Sequence, residues 1–226
     1  MKVVIVLPAF NESAVIYKVL KSLPKRLEGI SRVDTVVVND GSTDSTLTQA
    51  KKAKVNTLNH SLNRGVGAST KTGIHWARIH NADIAVTFDA DGQHDPNDIQ
   101  RIIDPIINKK ADVVIGSRLK RNNKIPTDRL ILNLSANLFT FFLFGVFSTD
   151  SQSGLRAFSK KAMMLINTRL DRMDFSSEVL LEAKRNNLKV LEVPTSVVYT
   201  SYSRAKGQKT INAISISARL LVKLLR

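Results

Sequence analysis

The 226-residue sequence contains no cysteine. This excludes disulfide staples and thiolate metal sites, and it fits a reducing compartment. No secretory signal opens the chain: Val3 to Leu7 is a short apolar run stopped by Pro8, without the length or the small-residue cleavage pattern of a leader. A bilayer-spanning run is also missing. The most apolar region, Leu130 to Phe147, is interrupted by Asn133, Ser135, Asn137 and Thr140, whereas a spanning helix needs about 20 mostly apolar residues. It reads as a helix that is interfacial or buried. Acidic residues are scarce and stop altogether after Glu192. There is no internal repeat, no low-complexity linker and none of the familiar nucleic-acid-binding motifs.

What the chain does have is positive charge. Its 34 Lys and Arg against 19 Asp and Glu give a formal net charge of +15, which favours nucleic acid, anionic lipid headgroups or phosphorylated substrates as partners. The length fits one domain, or one domain with a short extension. In the first half, β-branched runs predict strands at Val3–Leu7, Val33–Val38, Val55–Asn59, Ile84–Phe88 and Val113–Gly116. Between them, helical patterns cover Ala14–Leu23, Ser45–Lys52, Gly67–His80 and Pro96–Lys109. Short apolar runs alternating with helices predict an α/β fold, with a mostly parallel sheet buried on both faces and right-handed crossovers. After Arg118 come a basic loop (Lys120 to Lys124), the apolar helix, a turn at Asp150 to Gly154, a helix over Ser176–Arg185 and a strand over Val190–Pro194. The tail ends in a basic amphipathic helix from Ile211 to Arg226, which would lie on an anionic membrane or dock on its own domain.

Ligands of such sheets bind beyond the carboxyl ends of the strands. Three polar clusters fall there: Pro8 to Glu12, Asn39 to Ser42, and Asp89 to His94. Asp89 and Asp91 bracket Ala90 immediately after an apolar strand, so one turn can aim both carboxylates at one cation. Mg²⁺ and Mn²⁺ favour such oxygen ligands and keep positions open for substrate phosphate. An isolated Asp-x-Asp is more often a solvated acidic turn; its place after a buried strand, with Gln93 and His94 following, points to a cation site. Asp40 suits a hydrogen bond to a ribose or base, while Ser42 to Asp44 carry a helix N-terminal signal. Asn63 to Ala68 is a glycine-containing turn opening a helix, without a full phosphate-loop pattern. Its Arg64 either neutralises donor phosphate or is a plain surface charge.

These segments, together with Gly116-Ser117-Arg118, occur in the order and spacing of family 2 glycosyltransferases. Asp150 to Phe158 and the Arg204, Gly207, Lys209 tail resemble, more narrowly, the polyprenyl-phosphate sugar transferases of the dolichol-phosphate mannose synthase-like group. The resemblance covers nearly the whole chain. It implies a GT-A fold over residues 1–210, a nucleotide-diphosphate sugar donor, a divalent ion (Mg²⁺ or Mn²⁺) and inversion at the anomeric carbon. Carried over position by position, it gives Pro8, Phe10, Glu12 and Asp40 to the nucleoside, and Asp89, Asp91 and Gln93 to the metal and diphosphate. Arg118, Arg129 and Arg204, with Lys209 nearby, would meet the phosphates of donor or lipid acceptor. Two departures, Asn39 for a common acid and Gln208 for a serine, leave base and sugar specificity open.

A polyprenyl (dolichyl) phosphate acceptor suits this set. With a second pKa of about 6 it is already largely a dianion, so the need is for cations, and arginine offers bidentate contacts. A hydroxyl of a glycan, glycolipid or protein would instead require a general base. Asp150 and Glu178 are the candidates for that role, each equally suited to orienting an arginine, and no obligatory base is expected. Family members often continue into transmembrane helices; the expectation here is peripheral attachment to the cytoplasmic face of an anionic membrane, or a membrane-protein partner. A nucleotidyltransferase is a further alternative. A nucleic-acid partner is not expected, because acidic strand ends repel a polyanion.

Overall fold

A computed structural model describes residues 1–199 except Asn122 and Lys124, together with Tyr202. The expected contributions of Arg204 and Lys209, the domain boundary at 210 and the terminal helix fall outside the described residues. Among the described residues, seven strands form one sheet in the order β3-β2-β1-β4-β6-β5-β7. The strands are β1 (Lys2–Ala9), β2 (Arg32–Asn39), β3 (Asn56–Asn59), β4 (Ile84–Thr87), β5 (Val113–Ser117), β6 (Arg156–Ser159) and β7 (Val190–Pro194). The helices are α1 (Ile16–Ser22), α2 (Thr46–Lys52), α3 (Val66–Ile79), α4 (Asp98–Ile107), α5 (Thr127–Phe144), α6 (Lys160–Leu165) and α7 (Phe175–Arg185). The elements expected within the described residues are there, to within a few residues. β6 and α6 are additions: Arg156 and Ser159 give the strand too little apolar character to be read from its composition. β6 is also the strand that makes the sheet mixed, running antiparallel to both β4 and β5.

The unbroken apolar run of β1 has a direct cause. Val3, Ile5 and Leu7 enter one core with Ile16, Leu20, Ile99, Ile102 and Ile103, whereas Val4 and Val6 enter a second with Ala77, Phe175 and Val179. The strand is covered on both faces, so every position must be apolar.

The topology also locates the site. From β1 the chain winds outward through β2 to β3, then returns by α3 to pair β4 on the other side of β1. The winding direction thus reverses between β1 and β4. A crevice opens there beyond the strands' carboxyl ends, the position at which open α/β sheets bind ligands. Glu12 follows β1 and Asp89 follows β4, so both border this crevice.

Candidate active site

The β1 side of the crevice is built by loop-to-loop hydrogen bonds. Asn11 adopts left-handed backbone geometry (φ 53°), which Asn tolerates better than most residues. Its N–H donates to Ser42 Oγ (3.0 Å), and its side-chain oxygen accepts from Thr43 N (2.9 Å). Glu12 N donates to Thr46 Oγ1 (2.7 Å), and Ser13 N to Asp44 Oδ2 (3.1 Å). Asp44 also accepts from Thr46 N, and these bonds hold its carboxyl down at about 2 despite burial. The 42–46 segment therefore starts α2 and fixes the β1–α1 loop as well. Pro8 is half-buried at the end of β1, and Phe10 is 42% exposed beside the crevice.

Asp40 is at the end of β2 as expected, but its carboxylate faces the protein. Oδ1 accepts from His60 Nδ1 (2.7 Å) and Arg64 N (3.0 Å), and Oδ2 accepts from Gly65 N (2.7 Å). Burial pushes its pKa up, yet these donors, with Ser69, hold it below the usual carboxylate value. The residue fixes the 63–65 turn. Arg64 enters the site through its backbone, and its side chain is exposed.

On the β4 side, Asp89 and Asp91 are in a tight turn whose Gly92 has φ +76°. The Asp89 carboxylate accepts from His94 Nε2 (3.1 Å), so this ring nitrogen carries the proton. His94 is buried, and its Nδ1 has no partner among the described residues. Desolvation raises the Asp89 pKa, but the His94 bond and the fields of Arg118 and Arg156 bring it below the ordinary value. Asp91 shifts the other way. Burial, then the charge of Asp89 and further off that of Glu12, push it up to about 6, although Gln93 N donates to it at 3.0 Å. Two neighbouring carboxylates with opposed shifts, the upper one raised by burial and then by repulsion, make a place where a cation is stabilising. Gln93 is half-buried next to them, and its carbonyl accepts from Val198 N (2.9 Å).

The floor is the turn that precedes β6. Gly154 packs so closely under Asp89 that a Cβ there would overlap both carboxylate oxygens, and its carbonyl accepts from Thr87 Oγ1 (2.7 Å). Arg156, 2% exposed, donates to the carbonyls of Ser153 (2.9 Å), Ser151 (2.5 Å) and Ser176 (2.8 Å). Burial lowers its pKa to about 10, and the guanidinium stays charged at neutral pH. It is a fixed cation beneath the acidic pair that also shapes the turn carrying Gly154. Only the DSQSGLRAF resemblance could have flagged these two residues, since nothing in spacing or periodicity marks them.

Asp150, fully buried, takes a fork from Arg118: Nε to Oδ2 at 2.7 Å and Nη2 to Oδ1 at 2.6 Å, with Arg118 N on Oδ2 at 2.9 Å. Desolvation would lower the Arg118 pKa, but this fork raises it further above its usual value. The Asp150 carboxylate is thereby committed to holding Arg118. Glu178 is committed elsewhere, accepting from Arg169 N (2.9 Å) and Leu170 N (2.8 Å). Burial raises the Tyr199 pKa, and the charges of Arg118 and of Arg129, which lies in the first turn of α5, partly offset that rise.

The segment after β7 closes one side. Ser196 N donates to Asp98 Oδ2 (2.6 Å), Val197 pairs with His94, and Asn123 donates to the carbonyls of Arg118 (2.7 Å) and Thr195 (2.9 Å). Further on, Tyr202 reaches Glu12. Among the described residues there is no cluster of three His, Asp or Glu able to enclose a metal, and no helix long and apolar enough to cross a membrane.

Comparison with known proteins agrees with this geometry. Residues 4–165 match the family described as Glycosyl transferase family 2. The UDP-N-acetylglucosamine–dolichyl-phosphate N-acetylglucosaminyltransferase of Methanococcus voltae is 39% identical over 96% of this chain and 94% of its own. The undecaprenyl-phosphate mannosyltransferase of Micrococcus luteus is 27% identical over 91% of this chain and 87% of its own. Among solved structures, glucosyl-3-phosphoglycerate synthase from Mycobacterium tuberculosis, in complex with Mn²⁺, UDP and glucosyl-3-phosphoglycerate, superimposes with a TM-score of 0.72 at 17% identity, covering 99% of this chain and 78% of that one. The sheet with its flanking helices is a GT-A fold, and with its acidic pair after β4 the chain belongs to glycosyl transferase family 2.

Proposed function

We propose that this protein transfers a sugar, with inversion, from a UDP-linked hexose or N-acetylhexosamine to a polyprenyl phosphate at a membrane surface. The observation that carries the reading is the pairing of opposites in one crevice: the Asp89–Asp91 pair beyond β4, with the Asp150-bound Arg118 and the buried Arg156 acting on the Asp89 carboxylate. The choice of a UDP donor and a phosphate acceptor is supported by the name of the Methanococcus voltae relative. Family 2 membership supports the transfer itself.

Asp89 and Asp91 fit a divalent cation. Burial first and then the charge of Asp89 raise the Asp91 pKa, and two neighbouring carboxylates suit an ion completed by substrate phosphates. Mg²⁺ or Mn²⁺ held there, with Gln93 beside it, would neutralise the departing nucleoside diphosphate. The rest is done by the chain. His94 holds the Asp89 carboxylate in its rotamer. Asp150 holds Arg118 in its rotamer through Nε and Nη2 and so positions the guanidinium for an acceptor phosphate. Arg118 and Arg129 reduce the repulsion between two anionic substrates, which is the main barrier to bringing them together. The acceptor is already ionised, so attack on the anomeric carbon from the face opposite the diphosphate needs no protein base, and Asp150 and Glu178 can stay in structural roles.

The test is a radiolabelled transfer assay with purified protein, Mn²⁺ or Mg²⁺, polyprenyl phosphate and a panel of UDP- and GDP-sugars. Asp91-dependent label in an acid-labile lipid is expected. Nucleotide release with hydroxyl acceptors, and no labelled lipid, would overturn the acceptor assignment.

A further inference from the structure

The fork between Arg118 and Asp150 joins two loops, and a carboxylate from a third element holds both. Glu192 lies in β7 opposite Ile115, and its side chain is 11% exposed. Four donors converge on it. Oε1 accepts from Ser148 Oγ (2.6 Å) and Thr149 N (2.8 Å), and Oε2 from Thr149 Oγ1 (2.5 Å) and Lys120 Nζ (3.1 Å). An ionised carboxylate has about four lone-pair sites and no proton to give, so the donors fill it. Burial raises the Glu192 pKa, but the bonds from Ser148, Thr149 and Lys120 bring it below the ordinary value. The group is therefore charged at neutral pH.

These bonds flank both partners of the fork. Ser148 and Thr149 precede Asp150, and Lys120 follows shortly after Arg118. They also fix where protons point. Ser148 Oγ gives its proton to Glu192 and so accepts from Asp150 N (3.2 Å). Thr149 Oγ1 does the same, which leaves the hydroxyl of Ser117, the residue before Arg118, as the donor in the 2.7 Å contact between Ser117 and Thr149. The strand does not need this carboxylate, because β7 is already paired with β5 along Val190–Pro194. We propose that Glu192 is a positioning residue for Arg118: it holds the 117–120 and 148–150 segments at the spacing in which Asp150 aims the guanidinium at the acceptor phosphate. The phosphate rests on the proposed function; the hold on Arg118 does not.

The experiment compares the full wild-type chain with Glu192→Gln, Thr149→Val and Thr149→Ser. A glutamine fits neither way round, because its NH2 faces either Thr149 N or the Lys120 ammonium, and both can only donate. Valine removes the hydroxyl link from Glu192 to Ser117 and keeps the Thr149 N–H; serine restores the hydroxyl. The KM for polyprenyl phosphate should rise at least about tenfold in Glu192→Gln, as misplacement of a positioned group does, and by less in Thr149→Val, with Thr149→Ser recovering. The KM for the UDP-sugar should stay within about twofold of wild type. The Arg118 Nε–H resonance in ¹⁵N-arginine spectra, assigned by its loss in Arg118→Lys, should shift and exchange faster with water in Glu192→Gln and Thr149→Val. Arg156, whose Nε is bonded to the Ser153 carbonyl, should keep its slow exchange. A lower thermal midpoint with the Arg118 resonance unmoved, or equal rises in both KM values, overturns the proposal and leaves Glu192 a stabilising residue only. If the wild type transfers to no polyprenyl phosphate, the acceptor reading falls, and the Arg118 resonance alone decides whether Glu192 positions it.

Discussion

The Tyr202 hydroxyl donates a 2.8 Å hydrogen bond to Glu12 Oε2, across 190 residues of sequence. It ties the segment after β7 to the loop after β1, over the crevice in which the donor is expected. Burial, then the bond to Glu12 and the charges of Glu12, Asp44 and Asp91, push the phenol above its usual pKa, so it stays a donor throughout the physiological range. A nucleoside that reaches Glu12 must first break this bond. Hydrogen bonds to ionised partners contribute about 1.5–3 kcal/mol, so Tyr202→Phe should bind UDP about tenfold more tightly in calorimetry. Weaker binding would make Tyr202 part of the donor site instead of its competitor.

On the proposed metal site, Asp91 should set the pH range of metal loading. Its carboxyl, at about 6 in the metal-free protein, must lose its proton to act as a ligand. Apparent Mn²⁺ affinity should therefore fall by about tenfold per pH unit below pH 6, and Asp91→Asn should bind weakly with little pH dependence. The stability effect has the opposite sign from that of a salt-bridged carboxylate. A pKa raised from 3.8 to about 6 means that the folded chain holds the proton more tightly, so metal-free stability declines as pH rises between those values. Asp91→Asn should remove that decline in urea titrations at pH 4 and pH 7, and should abolish turnover while the fold survives.

The strands and the acidic pair were legible because both follow local rules. β1 and β4 are covered on both faces and so read as continuous apolar runs, and Asp89 and Asp91 follow directly in sequence from the strand that aims them. What was hidden depends on contacts distant in sequence. Asp40 reads as a ligand residue because it ends a strand; that it also fixes a turn became visible only once His60 and the Arg64–Gly65 backbone were seen to bond its carboxylate. β6 stayed hidden because it inserts between β4 and β5, against both, and carries a buried Arg156 that reads as a surface residue until the carbonyls around it are placed. Helix α5 was ambiguous in sequence because helical apolar residues look alike whether covered, as Phe144 is, or bare, as Phe142 is.

Gly154 should tolerate no side chain. Its Cβ would collide with the Asp89 carboxylate from below, and the Thr87 bond to its carbonyl limits how far the turn can retreat. Overpacking of this sort costs about 1–3 kcal/mol. The larger effect should be on the metal, since the displaced carboxylate would leave its His94 bond. Gly154→Ala is expected to lower Mn²⁺ affinity and turnover by at least about tenfold, as small displacements at a reacting centre do, with only a modest loss in the thermal midpoint. Wild-type metal affinity in that variant would mean that Asp89 can adopt a second rotamer of equal use.

Asp150 and Glu178 separate the two roles open to a carboxylate here. Asp150→Asn keeps the shape of the side chain but leaves the Arg118 guanidinium buried opposite a neutral amide, in place of a carboxylate that takes bonds from Nε, Nη2 and the backbone. Breaking one side of a buried pair costs about 3–5 kcal/mol, so the variant should unfold at markedly lower urea and lose transfer. Arg118→Lys should fare little better, because an ammonium cannot make the two-pronged contact. Glu178→Gln should lose only some stability, since its carboxylate caps the Arg169–Leu170 backbone. If the wild type used only a hydroxyl acceptor and Glu178→Gln lost that transfer with stability intact, Glu178 would be a base in that reaction and the phosphate acceptor would have to be given up. Retention of transfer by Glu178→Gln, alongside its loss in Asp150→Asn, is the pattern that an already ionised acceptor requires.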